Sequence, residues 1–130
     1  MHDDNIYLAV SRQHFHFNQQ APKKAEHLEA REKKFRFRCM REELEEYEDA
    51  ETLEEEFDAL IDLVVFALGT AYRQGFHRFN EGVARVIDAN KKKVVGPTAN
   101  RGKKFGDLDL QKPPGWAPAD LSDLLGGDDE

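Results

Sequence analysis

Residues 40–72, "MREELEEYEDAETLEEEFDALIDLVVFALGTAY", decide the fold of this protein. The stretch begins with densely packed acidic side chains and continues into a segment apolar enough to be buried. Its two halves have the composition of helices and meet at a short break, so they predict two consecutive helices. Asp58 and Asp62 lie inside the apolar half, and something must compensate their charges there.

The boundaries of these helices follow from local signals. The first helix is predicted from Ala25 to about Asp49, because this segment holds helix formers and neither glycine nor proline. Thr52 and Glu55 have the spacing of a capping box, which predicts the start of a second helix that ends before Gly75. A third helix is predicted over roughly residues 80–93.

The two ends of the chain are less regular. Residues 1–24 are predicted as an N-terminal segment in which "IYLAV" forms a short strand or a helical turn and a loop follows. Residues 94–130 are predicted as a long loop with many glycines and prolines and a frayed tail, with a last helical turn at "ADLSDLL". The predicted fold is all-α, as a single domain over residues 1–130, since no βαβ alternation is present.

Composition restricts the class of protein. A net charge of −7 over 130 residues argues against nucleic acid as a partner. One cysteine, Cys39, excludes an internal disulfide framework and fits the cytoplasm. No apolar run reaches the ~18 residues of a membrane span, which predicts a soluble protein. With 39% hydrophobic and 35% charged residues, a lone chain buries little, which favours an oligomer.

The acidic side chains group by helical geometry. On the first helix Glu43 and Glu46 fall within the apolar arc and Glu42 lies at its edge, so Glu42 and Glu43 can each converge with Glu46. On the second helix Asp58 and Asp62 share a face. For the remaining acids a solvated helix face is the expected environment: Glu45, Glu48, Glu51, Glu54 and Glu56.

Ionised carboxylates in such a place cost several kcal/mol each unless they are compensated. The possible compensations are basic side chains, shared protons or a metal ion. The converging acids outnumber any obvious buried basic partners, and carboxylate oxygens suit Mg²⁺ or Mn²⁺. The sequence therefore predicts a site for a hard divalent cation.

Several ordered motifs resemble one family. "EELEE" supplies an E-E-x-x-E motif, and "DALIDLVVFALGTA" follows on the next helix. "HFHF" near the N-terminus, "AN" followed by lysines at residues 89–93, and "KPPGWAPADL" at residues 112–121 complete the set. From about Val10 to Leu125 the chain resembles the MazG-like all-α NTP pyrophosphatase superfamily, which includes phosphoribosyl-ATP pyrophosphohydrolases and dimeric dUTPases, and more narrowly its short phage-type members.

The resemblance implies a fold and an activity. It implies a helical bundle whose four-helix core is completed by oligomerisation, in a homodimer or homotetramer. It implies an enzyme that uses two or more Mg²⁺ or Mn²⁺ ions to cleave a (d)NTP into (d)NMP and pyrophosphate. The first-guess substrate is dGTP or GTP, as in MazZ-type members, in nucleotide-pool control in the cytoplasm of a cell or of a phage host.

The resemblance also implies site residues. The family's E-x-x-D motif places Ala59 at the glutamate position, so Asp58 is taken as the substitute, although Glu55 with Asp58 gives the same spacing. The implied metal ligands are Glu43, Glu46, Asp58 and Asp62, with Glu42 and Glu55 in reserve. Glu42 or Glu43 is the implied catalytic base. The implied substrate-binding residues are His16, Phe17, Asn90, Lys93, Lys112 and Trp116.

Other functions remain open at this point. The first alternative is a non-catalytic helical interaction or scaffold protein. The second is a nucleic-acid binder that uses the basic segments Lys91–Lys93 and Arg101–Lys104, against which the overall acidity counts. Within the enzyme class, the alternatives are a pyrophosphatase acting on dUTP, phosphoribosyl-ATP or an alarmone. For the aromatic and basic residues near the ends of the chain, a purely structural role is the competing expectation.

Overall fold

A computed structural model describes residues 5–97 and 108–126 of the chain. Helices dominate these residues, which confirms the all-α prediction. The chain forms two compact units: the first holds the described residues up to Phe79 together with residues 125–126, and the second those from Asn80 to Leu124. The elements are α1 (Ile6–His16), α2 (Ala30–Asp49), α3 (Leu53–Arg73), α4 (Phe79–Asn90), β1 (Val94–Pro97), β2 (Leu108–Gln111) and a 3₁₀ turn (Ser122–Leu125). The prediction of one domain over residues 1–130 stays a prediction.

The helices α2 and α3 form an antiparallel pair, joined by three residues. The predicted start of α3 is confirmed, because Thr52 caps it and Glu55 closes the capping box. Its predicted end is confirmed as well. Gln74 is the C-cap, and Gly75 follows with a φ of 75°, a conformation that favours glycine.

The first helix, α1, is longer than the helical turn that was one of the two alternatives for its first five residues. Asn5 caps it, since its Oδ1 accepts a hydrogen bond from the amide of Leu8 at 3.1 Å. Tyr7 and Val10 then pack with Leu68 and other α3 residues in the core of the first unit. The helical turn that was one alternative for residues 6–10 is confirmed. The prediction of a loop was wrong for residues 11–16, because this packing stabilises a helix that the local sequence signals only weakly.

The helix α2 begins five residues later than predicted. Ala25 and Glu26 do not make helical hydrogen bonds. Their amides donate instead to the carbonyl oxygens of Leu125 and Gln74, at 3.2 and 2.9 Å. These bonds hold the segment in an extended course up to Ala30, where α2 starts.

The second unit contains α4, a β-hairpin and the C-terminal turn. α4 ends at Asn90, three residues before the predicted end. β1 and β2 pair antiparallel, with Val94 opposite Gln111, so the prediction of a loop was wrong for these strands. Arg85 on α4 holds the predicted last turn by a bidentate ion pair with Asp123, at 2.6 and 2.9 Å. The acidic tail from residue 127 and the basic segment Arg101–Lys104 lie outside the described residues.

The helix α3 is more exposed than its sequence predicts. Leu60, Ile61 and Val64 retain 46, 44 and 46% of their accessible surface in the single chain, where a buried helix was predicted. Ala59, on another side of the helix, is buried, and so is Leu68, which lies further along the same face as Ile61 and Val64 and packs against Tyr7 and Val10 of α1. In the described part of the chain, no helix is long and apolar enough to cross a membrane.

Candidate metal centre and active site

The predicted carboxylates on α2 and α3 come together. One oxygen from each of Glu43, Glu46 and Asp62 lies within 4.8 Å of the others. Glu43 and Glu46 are one turn apart on α2, and the antiparallel pairing places Asp62 of α3 beside them. We call these three residues the acidic trio.

Charges within the trio are poorly compensated. Burial and a hydrogen bond with Glu46, together with the charges of Glu46, Asp62 and Asp58, raise the pKa of Glu43 to about 7. Burial, followed by the charges of Asp58 and Glu46, raises the pKa of Asp62. Both carboxylates therefore hold their protons more tightly than they would in water.

The trio suits a hard cation. Oε2 of Glu43 is a buried oxygen with no hydrogen-bond partner, and within the described chain no basic side chain forms an ion pair with any of the three acids. A buried acceptor oxygen without a partner costs about 1–3 kcal/mol. A divalent cation coordinated by carboxylate oxygens would compensate this cost, and Mg²⁺ and Mn²⁺ prefer such ligands.

An open cleft of about 400 Å³ adjoins the trio, where the two helices approach their connection. Asp58 lies in this cleft and is solvent-exposed. It acts on the trio through its charge. Asp49 also lines the cleft, and its position one turn after Glu46 is the signal that would have found it. The lining residues are Glu46, Asp49, Ala50, Glu55, Asp58 and Ala59.

The reserve ligand Glu55 is already engaged in the helix cap. Its Oε1 accepts hydrogen bonds from the amides of Thr52 and Glu51 at 3.1 and 3.2 Å, and from the Thr52 hydroxyl at 3.0 Å. Glu55 also lines the cleft. The other reserve residue, Glu42, is exposed on α2 and is not part of the trio.

The predicted base-binding residues of α1 are exposed. The rings of His16 and Phe17 make an edge-to-face contact at 4.8 Å, and Phe17 is 64% exposed. The neighbouring His14, which was not predicted, turns inward. It stacks on Tyr72 at 5.4 Å and shares a hydrogen bond of 2.6 Å with Gln19, and burial lowers the pKa of its imidazole.

The predicted substrate-binding residues of the second unit also lie close together. The ammonium groups of Lys93 and Lys112 lie 4.8 and 5.4 Å from the ring centroid of Trp116. The indole N–H of Trp116 donates to the carbonyl oxygen of Ala89 at 2.7 Å. The carbonyl of Asn90 accepts from the amide of Lys93 in the turn that ends α4. This geometry attaches the C-terminal segment to α4 and places two cations on one aromatic ring.

A partly buried ionic network links α2 and α3 at some distance from the trio. Glu32 of α2 accepts two hydrogen bonds from Arg73 of α3, at 2.8 and 3.0 Å. Arg36 also donates to Glu32, at 3.4 Å. Sequence reasoning missed these residues. The four-residue spacing of Glu32 and Arg36 was a signal, whereas Arg73 is brought in only by the pairing of the helices.

Comparison with known families agrees with the all-α fold. In the described residues, four helices, with carboxylates converging from two of them, define an all-α protein with three acids that could hold a cation. Residues 10–90, well over half of the chain, match the family model of phosphoribosyl-ATP pyrophosphohydrolase (PRA-PH). The chain belongs to this family, and the resemblance to the MazG-like superfamily is confirmed. No curated protein gives a significant match to the chain.

Membership in this family indicates the general class of reaction. It indicates pyrophosphohydrolase chemistry, which is hydrolysis of a phosphoric anhydride, and it implies a nucleotide substrate. Members of the superfamily typically depend on metal ions, and the acidic trio offers ligands for one.

Proposed function

We propose that this protein is a metal-dependent nucleoside triphosphate pyrophosphohydrolase, which converts a (d)NTP into (d)NMP and pyrophosphate. The observation that carries the proposal is the acidic trio, in which Oε2 of Glu43 is buried without a partner. Mg²⁺ or Mn²⁺, in two or more ions, would neutralise the phosphates and activate a water molecule. Glu43, Glu46 and Asp62 would hold these ions, with Asp58 adding charge from the cleft.

The residues of the chain have distinct tasks in this proposal. Water adds across the α–β anhydride, its proton passes to a carboxylate, and pyrophosphate leaves. Glu43 is the proposed proton acceptor, because one of its carboxylate oxygens lies among the proposed ligands, close to a water molecule that would be activated there. Exposed Glu42 is the alternative base. His16, Phe17, Asn90, Lys93, Lys112 and Trp116 remain the proposed contacts to substrate.

The proposed substrate is dGTP or GTP, in control of the nucleotide pool of the cytoplasm. The resemblance of the sequence to the short phage-type members of the superfamily supports this choice. A second candidate substrate is phosphoribosyl-ATP, because the family model that the chain matches carries its name. Hydrolysis of dUTP or of an alarmone would use the same trio. The remaining alternative is a scaffold without activity.

The test is a panel of NTPs, dNTPs and phosphoribosyl-ATP, incubated with Mg²⁺, Mn²⁺ or EDTA, with separate measurement of pyrophosphate and orthophosphate. We expect metal-dependent release of pyrophosphate. Glu46→Ala and Asp62→Ala should each lower kcat/KM by more than about 100-fold, since even residues behind metal ligands contribute 10- to 100-fold. Glu45→Ala is the matched control. Glu45 is exposed on α2, and its Oε2 lies 3.9 Å from Nε of Arg41 one turn earlier. A folded protein without turnover on any substrate would favour the scaffold.

A further inference from the structure

Arg36 is the most deeply buried charged residue of the described chain, with 7% of its surface exposed. Its Nε donates to Glu32 at 3.4 Å, a long hydrogen bond. Among the described residues its Nη1 and Nη2 have no hydrogen-bond partner, and neither atom is sealed off from solvent. The fork of a buried guanidinium thus remains available to a ligand.

The charges around Arg36 do not balance. Glu32 is the shared partner of two arginines, and Arg73 makes the two shorter bonds to it. Hydrogen bonding with Arg73 lowers the pKa of Glu32, so Glu32 is ionised and supplies one negative charge against two positive charges. Burial lowers the pKa of the adjacent His14, which disfavours a further positive charge there. One positive charge therefore remains without a counter-charge in a partly buried cluster, and an acceptor oxygen would satisfy it.

Arg36 lies on the same face of α2 as the α2 members of the acidic trio, nearer to the N-terminus of the helix. Arg36 and Glu43 are seven residues apart on the same face of α2, which is two turns or about 10 Å. On α3, Gly69 and Asp62 are also seven residues apart, and Nη1 of Arg36 lies 3.3 Å from the position that a Cβ on Gly69 would take. Helical side chains tilt towards the helix N-terminus, so the guanidinium extends away from Glu43.

Glycine at position 69 makes room for the side chains of His14 and Arg36 at this end of the helix pair. A Cβ there would collide with the imidazole of His14 and would approach Nη1 of Arg36. The bond to Glu32 restrains the Arg36 side chain, so that less freedom is lost when a ligand binds to its fork.

We propose that Arg36 binds an acceptor oxygen at the end of the substrate that is remote from the scissile phosphates. The proposal rests on the nucleotide pyrophosphohydrolase function proposed above, with the phosphates at the acidic trio. In a nucleoside triphosphate this oxygen is a base carbonyl, which guanine, uracil, thymine and cytosine carry and adenine lacks. In a phosphoribosyl nucleotide it is an oxygen of the second phosphate. A guanidinium fork donates two parallel hydrogen bonds to a phosphate or to O6 and N7 of guanine, and its N–H groups can donate to the single carbonyl oxygen of a pyrimidine.

The experiment measures binding of products, which cannot be hydrolysed at an α–β anhydride. GMP, UMP, AMP and phosphoribosyl-AMP are titrated calorimetrically, in Mg²⁺, into wild type, Arg36→Met, Arg36→Lys and Arg38→Met. Arg38 is exposed on the same helix and is the matched control. Because monophosphates are used, the result is independent of whether the chain hydrolyses triphosphates.

We expect Arg36→Met to weaken binding of GMP and UMP by about 10- to 100-fold, the value of hydrogen bonds from a charged donor, and to leave AMP unchanged. Arg36→Lys should retain part of the affinity, and Arg38→Met all of it. A loss confined to phosphoribosyl-AMP also supports the proposal and identifies the second phosphate as the acceptor. Equal losses for all four ligands, losses for none, or no binding to wild type would overturn it. Thermal melting of each variant shows that it is folded, and Arg36→Lys keeps the test valid if Arg36→Met does not fold.

Discussion

Glu43 shows how a single carboxylate can link stability and function. Its Oε2 is buried without a partner, and burial, followed by the neighbouring acids, raises its pKa from the ordinary value of 4.5 to about 7. The folded chain therefore binds this proton more tightly than the unfolded chain does. Stability from this source is fully present below pH 4.5 and is lost as the pH rises to about 7.

The first prediction concerns this pH dependence. The Tm of metal-free protein should fall between pH 4.5 and about 7, and Glu43→Gln should reduce that fall, because glutamine does not titrate. Differential scanning calorimetry at a series of pH values makes the measurement. Glu45→Gln, at an exposed position, should leave the slope unchanged. Parallel slopes for wild type and Glu43→Gln would contradict the raised pKa.

A second residue-scale feature is the absence of a side chain at Gly69. Gly69 is buried on α3, where the His14 ring and Arg36 occupy the space that a Cβ would need. Gly82 on α4 differs, because a Cβ there would meet Leu124 at 3.7 Å, an ordinary contact distance. The same substitution therefore has opposite consequences at the two positions.

Gly69→Ala should lower the free energy of unfolding by about 1–3 kcal/mol, as overpacking does. Gly82→Ala should raise it by about 0.5–1 kcal/mol, since alanine favours a helix and its Cβ fits. Urea denaturation of the two variants measures both effects. A Gly69→Ala protein as stable as wild type would show that His14 does not occupy this space.

At the scale of the element, the first turns of α3 combine a helix cap with part of the lining of the cleft. Thr52 and Glu55 form the capping box, and Asp58 follows one turn later in the cleft. Glu55 belongs to both settings, so its role as a cap and its role as a reserve ligand must be separated by experiment.

Thr52→Ala should destabilise the protein by about 1 kcal/mol through loss of the cap, with no change in affinity for Mn²⁺. If Glu55 acts as a cap alone, Glu55→Gln should behave in the same way. Urea denaturation and calorimetric titration with Mn²⁺ give the two quantities. Weaker Mn²⁺ binding in Glu55→Gln, but not in Thr52→Ala, would instead make Glu55 a ligand.

At the scale of the whole molecule, the chain exposes an apolar stripe on α3. Phe57 is 67% exposed, and Leu60, Ile61 and Val64 follow it at helical spacing with nearly half of their surface exposed. Apolar surface of this kind is typical of an interface. A second copy of the chain would complete a four-helix core with α2 and α3, which supports the predicted homodimer or homotetramer.

Leu60→Asp should therefore shift the protein towards a monomer, because an interface that buries a new carboxylate is destabilised. Sedimentation velocity measures the distribution of species. Lys33→Asp, at an exposed position of α2, makes a larger change in charge and should leave the assembly intact. A wild-type protein that sediments as a monomer at all concentrations would contradict the predicted oligomer.

Interactions between residues close in sequence determined the boundaries of α3 and the convergence of Glu43 with Glu46, so both could be predicted from the sequence alone. The boundaries of α3 follow from a capping box and a glycine with positive φ, both of which act within a few residues. The convergence of Glu43 with Glu46 follows from helical periodicity, and the choice of α2 and α3 as the carrying helices follows from their composition. Such signals need no knowledge of the remaining chain.

The tertiary structure decided what depends on contacts between distant residues. The packing of α1 on α3 turned His14 inward and left His16 exposed, although both lie in "HFHF". The antiparallel pairing of α2 and α3 placed Asp62 in the trio and brought Arg73 to Glu32. The direction of a side chain depends on which face of its helix is covered, and a helix of marginal local stability, such as α1, forms because its core contacts stabilise it.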